Sequence, residues 1–152
     1  LIYFYSNIMK KLIVFVFFIT LLNSCNTNPV NSNFDVQKKF INDFQENWNN
    51  MDVEAMGNLP TVDTVFIDYP TNDIFKVNFK DAGFWNSFFD QYNSLDWKIS
   101  SINQLNDSLT GLVVKSISNN EMKNGEFSTE KWVMFFYFNS DNSLVSIDEY
   151  MK

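Results

Sequence analysis

Cys25 is the only cysteine in the 152 residues, and neither histidine nor arginine occurs anywhere. Those absences remove whole classes of chemistry. Without histidine there is no Ser-His-Asp or Cys-His nucleophile and none of the usual zinc ligand sets. Without arginine there is no bidentate clamp for a phosphate or carboxylate. Acid–base or nucleophilic work would fall to Asp, Glu, Tyr, Lys, Ser or Thr. No metal and no cofactor is expected from this inventory. Asp141-Asn142-Ser143 is too short a turn to supply the six to eight oxygens that calcium takes.

Cys25 stands at the end of an apolar run. Met9-Lys10-Lys11 precedes Leu12 to Leu22, and Asn23-Ser24-Cys25 follows. A basic start, an apolar stretch and a small residue before the cut are the parts of a secretory signal. The run is about half of the roughly 20 residues that span a bilayer as a helix. Leu22-Asn23-Ser24-Cys25 resembles the lipobox of bacterial lipoproteins. The resemblance implies cleavage before Cys25 and acylation of its thiol, with palmitate-like chains holding the protein on the periplasmic side of a bacterial membrane, in the cell envelope. Each buried methylene contributes about 0.8 kcal/mol, so two or three chains anchor stably where one does not. The alternatives are a simple secretory signal with a free Cys25, or a structural thiol. Residues 1–8 read as an extension ahead of the start at Met9, residues 9–24 as the signal and residues 25–33 as the acylated cysteine with a polar tether.

Residues 34–152 remain for one domain with a real core. From Cys25 onward there are 18 acids and 9 lysines, a balance of −9. That charge repels phosphate backbones, so no nucleic-acid partner is expected, and it disfavours docking on anionic lipid. Aromatics make up 18% of the chain and include seventeen phenylalanines. Most must be core, and some could line a cavity.

Periodicity places the elements. Val36, Phe40, Phe44 and Trp48 recur every fourth residue with Ile41 beside them, which predicts a helix over 34–48. Asp52 can cap a short helix over 53–56. Thr64 to Tyr69 reads as a strand stopped by Pro70, and Ile74 to Phe79 as its return. A third helix is expected over 81–95. Four strands then follow, over 97–105, 109–118, 129–138 and 143–151. The third of these has Trp132, Met134, Phe136 and Phe138 on one face and Val133, Phe135 and Tyr137 on the other, so both faces must be covered.

This α+β order resembles the nuclear transport factor 2-like superfamily, in particular its SnoaL-like branch. Trp48-Asn49-Asn50-Met51-Asp52 is similar to that family's corner between the first two helices, Val65-Phe66-Ile67-Asp68 to its first strand, and Leu144 to Tyr150 to its closing strand. The resemblance implies a cone: a curved antiparallel sheet wrapped on three helices, with a pocket at the wide end. It also implies pairing of two copies through the outer face of the sheet, a possible homodimer. An isomerase- or cyclase-like site of that family needs a carboxylate and a hydroxyl donor, and Asp68 with Tyr69, or Asp148 with Tyr150, are of the right types. Period two puts Leu144, Ser146, Asp148 and Tyr150 together, but Val145, Ile147 and Met151 make the opposite face more apolar, so which face looks inward stays open. Phe44, Trp48, Phe66, Trp85, Phe88 and Trp132 are the expected pocket lining. The expectation is a lipid-anchored, non-catalytic protein binding a small apolar molecule or a partner. The alternative is an acid–base isomerase or lyase acting on a carbonyl compound.

Overall fold

The computed structural model describes residues 32–69, 73–105 and 111–151. The leader, Cys25 and the tether lie outside the described residues, as do most of the turns expected near Thr71 and Asn106. The described chain runs α1 (Ser32–Asn49), α2 (Val53–Gly57), β1 (Thr61–Asp68), β2 (Ile74–Val77), α3 (Ala82–Phe89), β3 (Tyr92–Gln104), β4 (Gly111–Met122), β5 (Phe127–Phe138) and β6 (Leu144–Met151). The strands form one curved sheet in the order β2-β1-β6-β5-β4-β3. It is mixed, because β1 pairs in parallel with β6 while every other neighbour is antiparallel. Four of the five pairings thus follow the antiparallel expectation. The exception joins β1 to a partner that arrives only after β2, α3 and three long strands.

Helix α1 lies on the inner face of the sheet. Phe40 meets Phe138 edge-on at 5.3 Å, and Phe44 meets Trp97 at 5.6 Å and Phe136 at 6.1 Å. The exact fourfold spacing of apolar residues does not hold at its beginning. Val36 is exposed and Gln37 is buried, its Nε2 donating to Asn142 Oδ1 at 3.0 Å. An α-helix turns about 100° per residue, so a step of four overshoots a full turn by about 40°. Over three such steps Val36 has rotated off the face that Trp48 occupies.

The helix predicted over 81–95 is shorter than expected. Asp81 caps it by accepting from the Gly83 amide at 2.8 Å, but it stops at Phe89. Tyr92, Ser94 and Leu95 instead pair with Met122, Glu121 and Asn120 of β4. A ladder across a long hairpin overrides local helical periodicity here, and the Lys123 amide donating to Gln91 O at 3.0 Å marks where the chain changes course.

Asn49 joins α1 to the sheet. Strand β3 is an edge, so the outward polar backbone groups of Trp97 have no strand to pair with. The Trp97 amide donates to Asn49 Oδ1 at 2.7 Å, while Asn49 Nδ2 and Gln45 Nε2 donate to Trp97 O at 2.9 and 2.7 Å. The corner residue singled out in the sequence therefore fixes where the end of α1 stands over the sheet.

Candidate functional site

Alternation along the strands decides which side chains look inward. On β5 the even-numbered residues do: Phe136 and Phe138 are buried, while Met134, Trp132 and Glu130 continue the same row. Strand β6 carries a register shift. Tyr137 pairs with Ser146 but Phe138 pairs with Leu144, which leaves Val145 as an extra residue. Such a bulge changes the parity of the strand. Leu144 is buried on one side of it, and Ile147 and Glu149 share the inner face on the other. The apolar face of the closing strand is thus the inward one, and it includes an acid.

These rows, with the end of α1, enclose a cavity of about 160 Å³. Its apolar walls are Phe44 and Trp48 from α1, Phe88 from α3, Trp97 from β3 and Trp132, Met134 and Phe136 from β5. Its polar groups are Glu149, Glu130, Tyr69, Tyr92, Ser118 and Asn120, and no lysine is among the described lining residues. Trp48 lies at 4.9 Å from Phe88 and at 5.8 Å from Phe44, so the aromatic wall is braced by its own ring contacts. A space of this size holds a molecule comparable to benzene, well short of a drug-sized ligand.

The electrostatics follow from burial. Withdrawal from water pushes the Glu149 carboxyl up from 4.5 to about 7, and the neighbouring Glu130 charge adds to the rise. Burial likewise pushes the Tyr69 phenol up to about 12, with Glu149 and then Tyr92 contributing. Tyr92 rises through burial and through Glu130. Near neutral pH the phenols are therefore neutral hydrogen-bond donors, and Glu149 is poised between its two states. Ser118 Oγ donates to Asn120 Oδ1 at 2.8 Å. Among the described residues the indole N–H of Trp97 has no hydrogen-bond partner, although Trp97 is only 3% exposed. Among the described residues no group of three His, Cys, Asp or Glu is placed to hold a metal ion.

The residues singled out in the sequence are divided by this geometry. Phe44, Trp48, Phe88 and Trp132 line the cavity. Trp85 is packed in the core beside it, its indole donating to Phe79 O at 2.7 Å, and Phe66 is an exposed residue with the Lys76 ammonium 5.8 Å above its ring. Asp148 and Tyr150 lie on the outer face, around a shallow groove with Val133, Phe135 and Tyr137. Tyr150 touches Phe135 at 5.6 Å, and Asp148 accepts a hydrogen bond that helps raise the Tyr137 phenol, after burial. Asp68 is half-buried at the end of β1, in register with Ile74 and Asp148, and does not line the cavity. The acid inside is Glu149. Its signal in the sequence was the company it keeps, one alternate position after Ile147 on the more apolar face.

No family model and no curated protein matches the chain. Solved structures do. The epoxide hydrolase/cyclase-like enzyme SalBIII, which has a role in pyran ring formation in the polyether salinomycin, aligns with 76% of this chain and 90% of its own at 12% identity and a TM-score of 0.63. A SnoaL-like protein of unknown function from Burkholderia thailandensis aligns over 78% and 95% at 11% identity and a TM-score of 0.58. A protein with a ketosteroid isomerase-like fold from Catenulispora acidiphila, in complex with trimethylamine, aligns over 73% and 83% at 8% identity and a TM-score of 0.58. At such identities the likeness is one of fold. The domain has the nuclear transport factor 2-like fold in its SnoaL-like form.

Proposed function

We propose that this chain is a lipid-anchored cell-envelope protein whose SnoaL-like domain binds a small molecule in the cavity between α1 and the inner face of the sheet. One observation carries the binding reading: a cavity of about 160 Å³ walled by braced aromatic rings, with a few convergent polar groups at its edge. The absence of histidine and arginine supports binding over the histidine- or arginine-dependent reactions that this fold can host. The anchoring reading is supported by the Leu22-Asn23-Ser24-Cys25 sequence after its apolar run. A thermal-shift screen of small apolar and polar fragments on the purified full chain tests the binding reading. A hit should be weakened by Trp132→Ala and left unchanged by Val133→Ala on the outer face. Absence of any hit at millimolar concentrations refutes it.

A second reading is favoured by Glu149 and Tyr69. A carboxyl near 7 facing a neutral phenol across an apolar cavity is equipped to move a proton on a carbonyl compound, as an isomerase or lyase does. This differs from the Asp148 and Tyr150 expectation in the acid, which comes from the other face of β6, and in the hydroxyl donor, which is Tyr69 after β1. Deuterium exchange at the carbon next to the carbonyl of simple ketones, catalysed by the wild type and lost in Glu149→Gln, would establish it. The outer groove of Val133, Phe135, Tyr137, Asp148 and Tyr150 is, on the same reading of the fold, where a second copy of the chain docks.

A further inference from the structure

The cavity combines features that select by charge. Its apolar lining includes the indoles of Trp48, Trp97 and Trp132, and its polar lining includes the carboxyl groups of Glu149 and Glu130, with no cationic side chain among the described lining residues. An anionic ligand would meet two like charges there with nothing to neutralise it. A neutral apolar ligand would fill the space, but would strip water from the carboxylates without replacing it by a partner. An organic cation satisfies both sides at once. Its charge faces the acids, and its alkyl substituents lie on indole rings, which attract cations through their quadrupole.

We propose that the cavity binds a small organic cation, an amine or quaternary ammonium compound, with its nitrogen between Glu149 and Glu130 and its alkyl groups against the tryptophan rings. The proposal rests on the small-molecule reading above and specifies its ligand class. The size of the cavity limits the ligand to about six to ten non-hydrogen atoms.

A pH dependence follows. The charged groups facing Glu149 are Glu130 on β5, with the phenols of Tyr69 and Tyr92 nearby, and both phenols stay neutral to well above neutrality. Glu149 is therefore the group that changes charge between mildly acid and mildly alkaline pH. Cation binding should tighten as pH rises through about 7, and a proton should leave the protein on binding at or below that pH.

The test uses the full chain in a non-ionic detergent and three probes of one shape. These are choline, its carbon isostere with a neutral tert-butyl group in place of trimethylammonium, and the corresponding tert-butyl carboxylate. Binding is read by quenching of tryptophan fluorescence, with sodium chloride holding ionic strength equal. The expected result is choline binding about tenfold or more tighter than the neutral isostere, with the carboxylate weakest. Glu149→Gln should reduce that preference to less than threefold while still binding the isostere, which also shows that the variant is folded. Glu130→Gln is the second variant, and it should weaken choline without affecting the isostere. Equal or tighter binding of the neutral isostere by the wild type overturns the cation assignment and leaves the small-molecule reading standing. Failure of all three probes overturns the assignment as well. If the fragment screen also finds nothing, the binding reading falls with it.

Discussion

Replacing Glu149 by Gln should stabilise the protein, and the gain should grow as pH rises from about 4.5 to about 7. The Glu149 carboxyl sits at about 7 in the folded chain against an ordinary value of 4.5. Between those values the folded protein holds a proton that the unfolded chain has released, so stability falls as pH rises. Each pKa unit corresponds to about 1.4 kcal/mol, so above pH 7 ionised Glu149 destabilises the fold by about 3 kcal/mol, and below 4.5 by nothing. Glutamine is similar in shape and never ionises. Urea unfolding followed by tryptophan fluorescence, at steps from pH 4 to pH 8, measures the difference between the two proteins. Subtracting one curve from the other cancels the carboxylates they share. The difference should be close to zero at pH 4, open between about 4.5 and 7, and level off near 3 kcal/mol. A difference that stays flat with pH would refute the placement of Glu149 in a desolvated cavity. A variant less stable than wild type at pH 8 would refute it too.

Asn49→Ala should destabilise the fold by about 2 kcal/mol in urea titrations, since it leaves the Trp97 amide at the sheet edge without its 2.7 Å acceptor. Phe79→Ala should cost about 3–5 kcal/mol by the same measurement, because Phe79 is fully buried against Phe44 and Trp85 and the space cannot collapse. Cys25→Ser should move the protein from the membrane fraction to the soluble fraction of the expressing cell, and mass spectrometry of the wild type should show acyl chains on Cys25; an unmodified thiol refutes the anchor. Sedimentation or light scattering should show a dimer that Phe135→Glu converts to monomer, by placing a charge in the outer apolar groove.

Much of this molecule could be read from local order. Alternation within Thr129 to Phe138 is intrinsic to an extended chain, so the division of β5 into an inner row of Trp132, Met134, Phe136 and Phe138 and an outer row of Val133, Phe135 and Tyr137 needed no structure. The helix over Phe40, Phe44 and Trp48 was legible for the same reason, as was the α+β order and its likeness to SnoaL-like domains. The limits of α3 were not. Tyr92 and Leu95 fit a helical face, and only the long hairpin with Asn120 to Met122 draws them into β3. The acid in the site was hidden by a similar effect. Period two places Asp148 and Glu149 on opposite faces, but which face is inner depends on neighbours far away in sequence. The sheet resolves it, by pairing Met134 with Glu149 and by the bulge at Val145 that lets Leu144 and Ile147 both point inward. Composition by itself settled which chemistries are closed to this chain, because a side chain that is absent cannot be restored by folding. Only tertiary structure decided which carboxylate is desolvated, because desolvation belongs to the space that α1, β5 and β6 close together and to no segment alone.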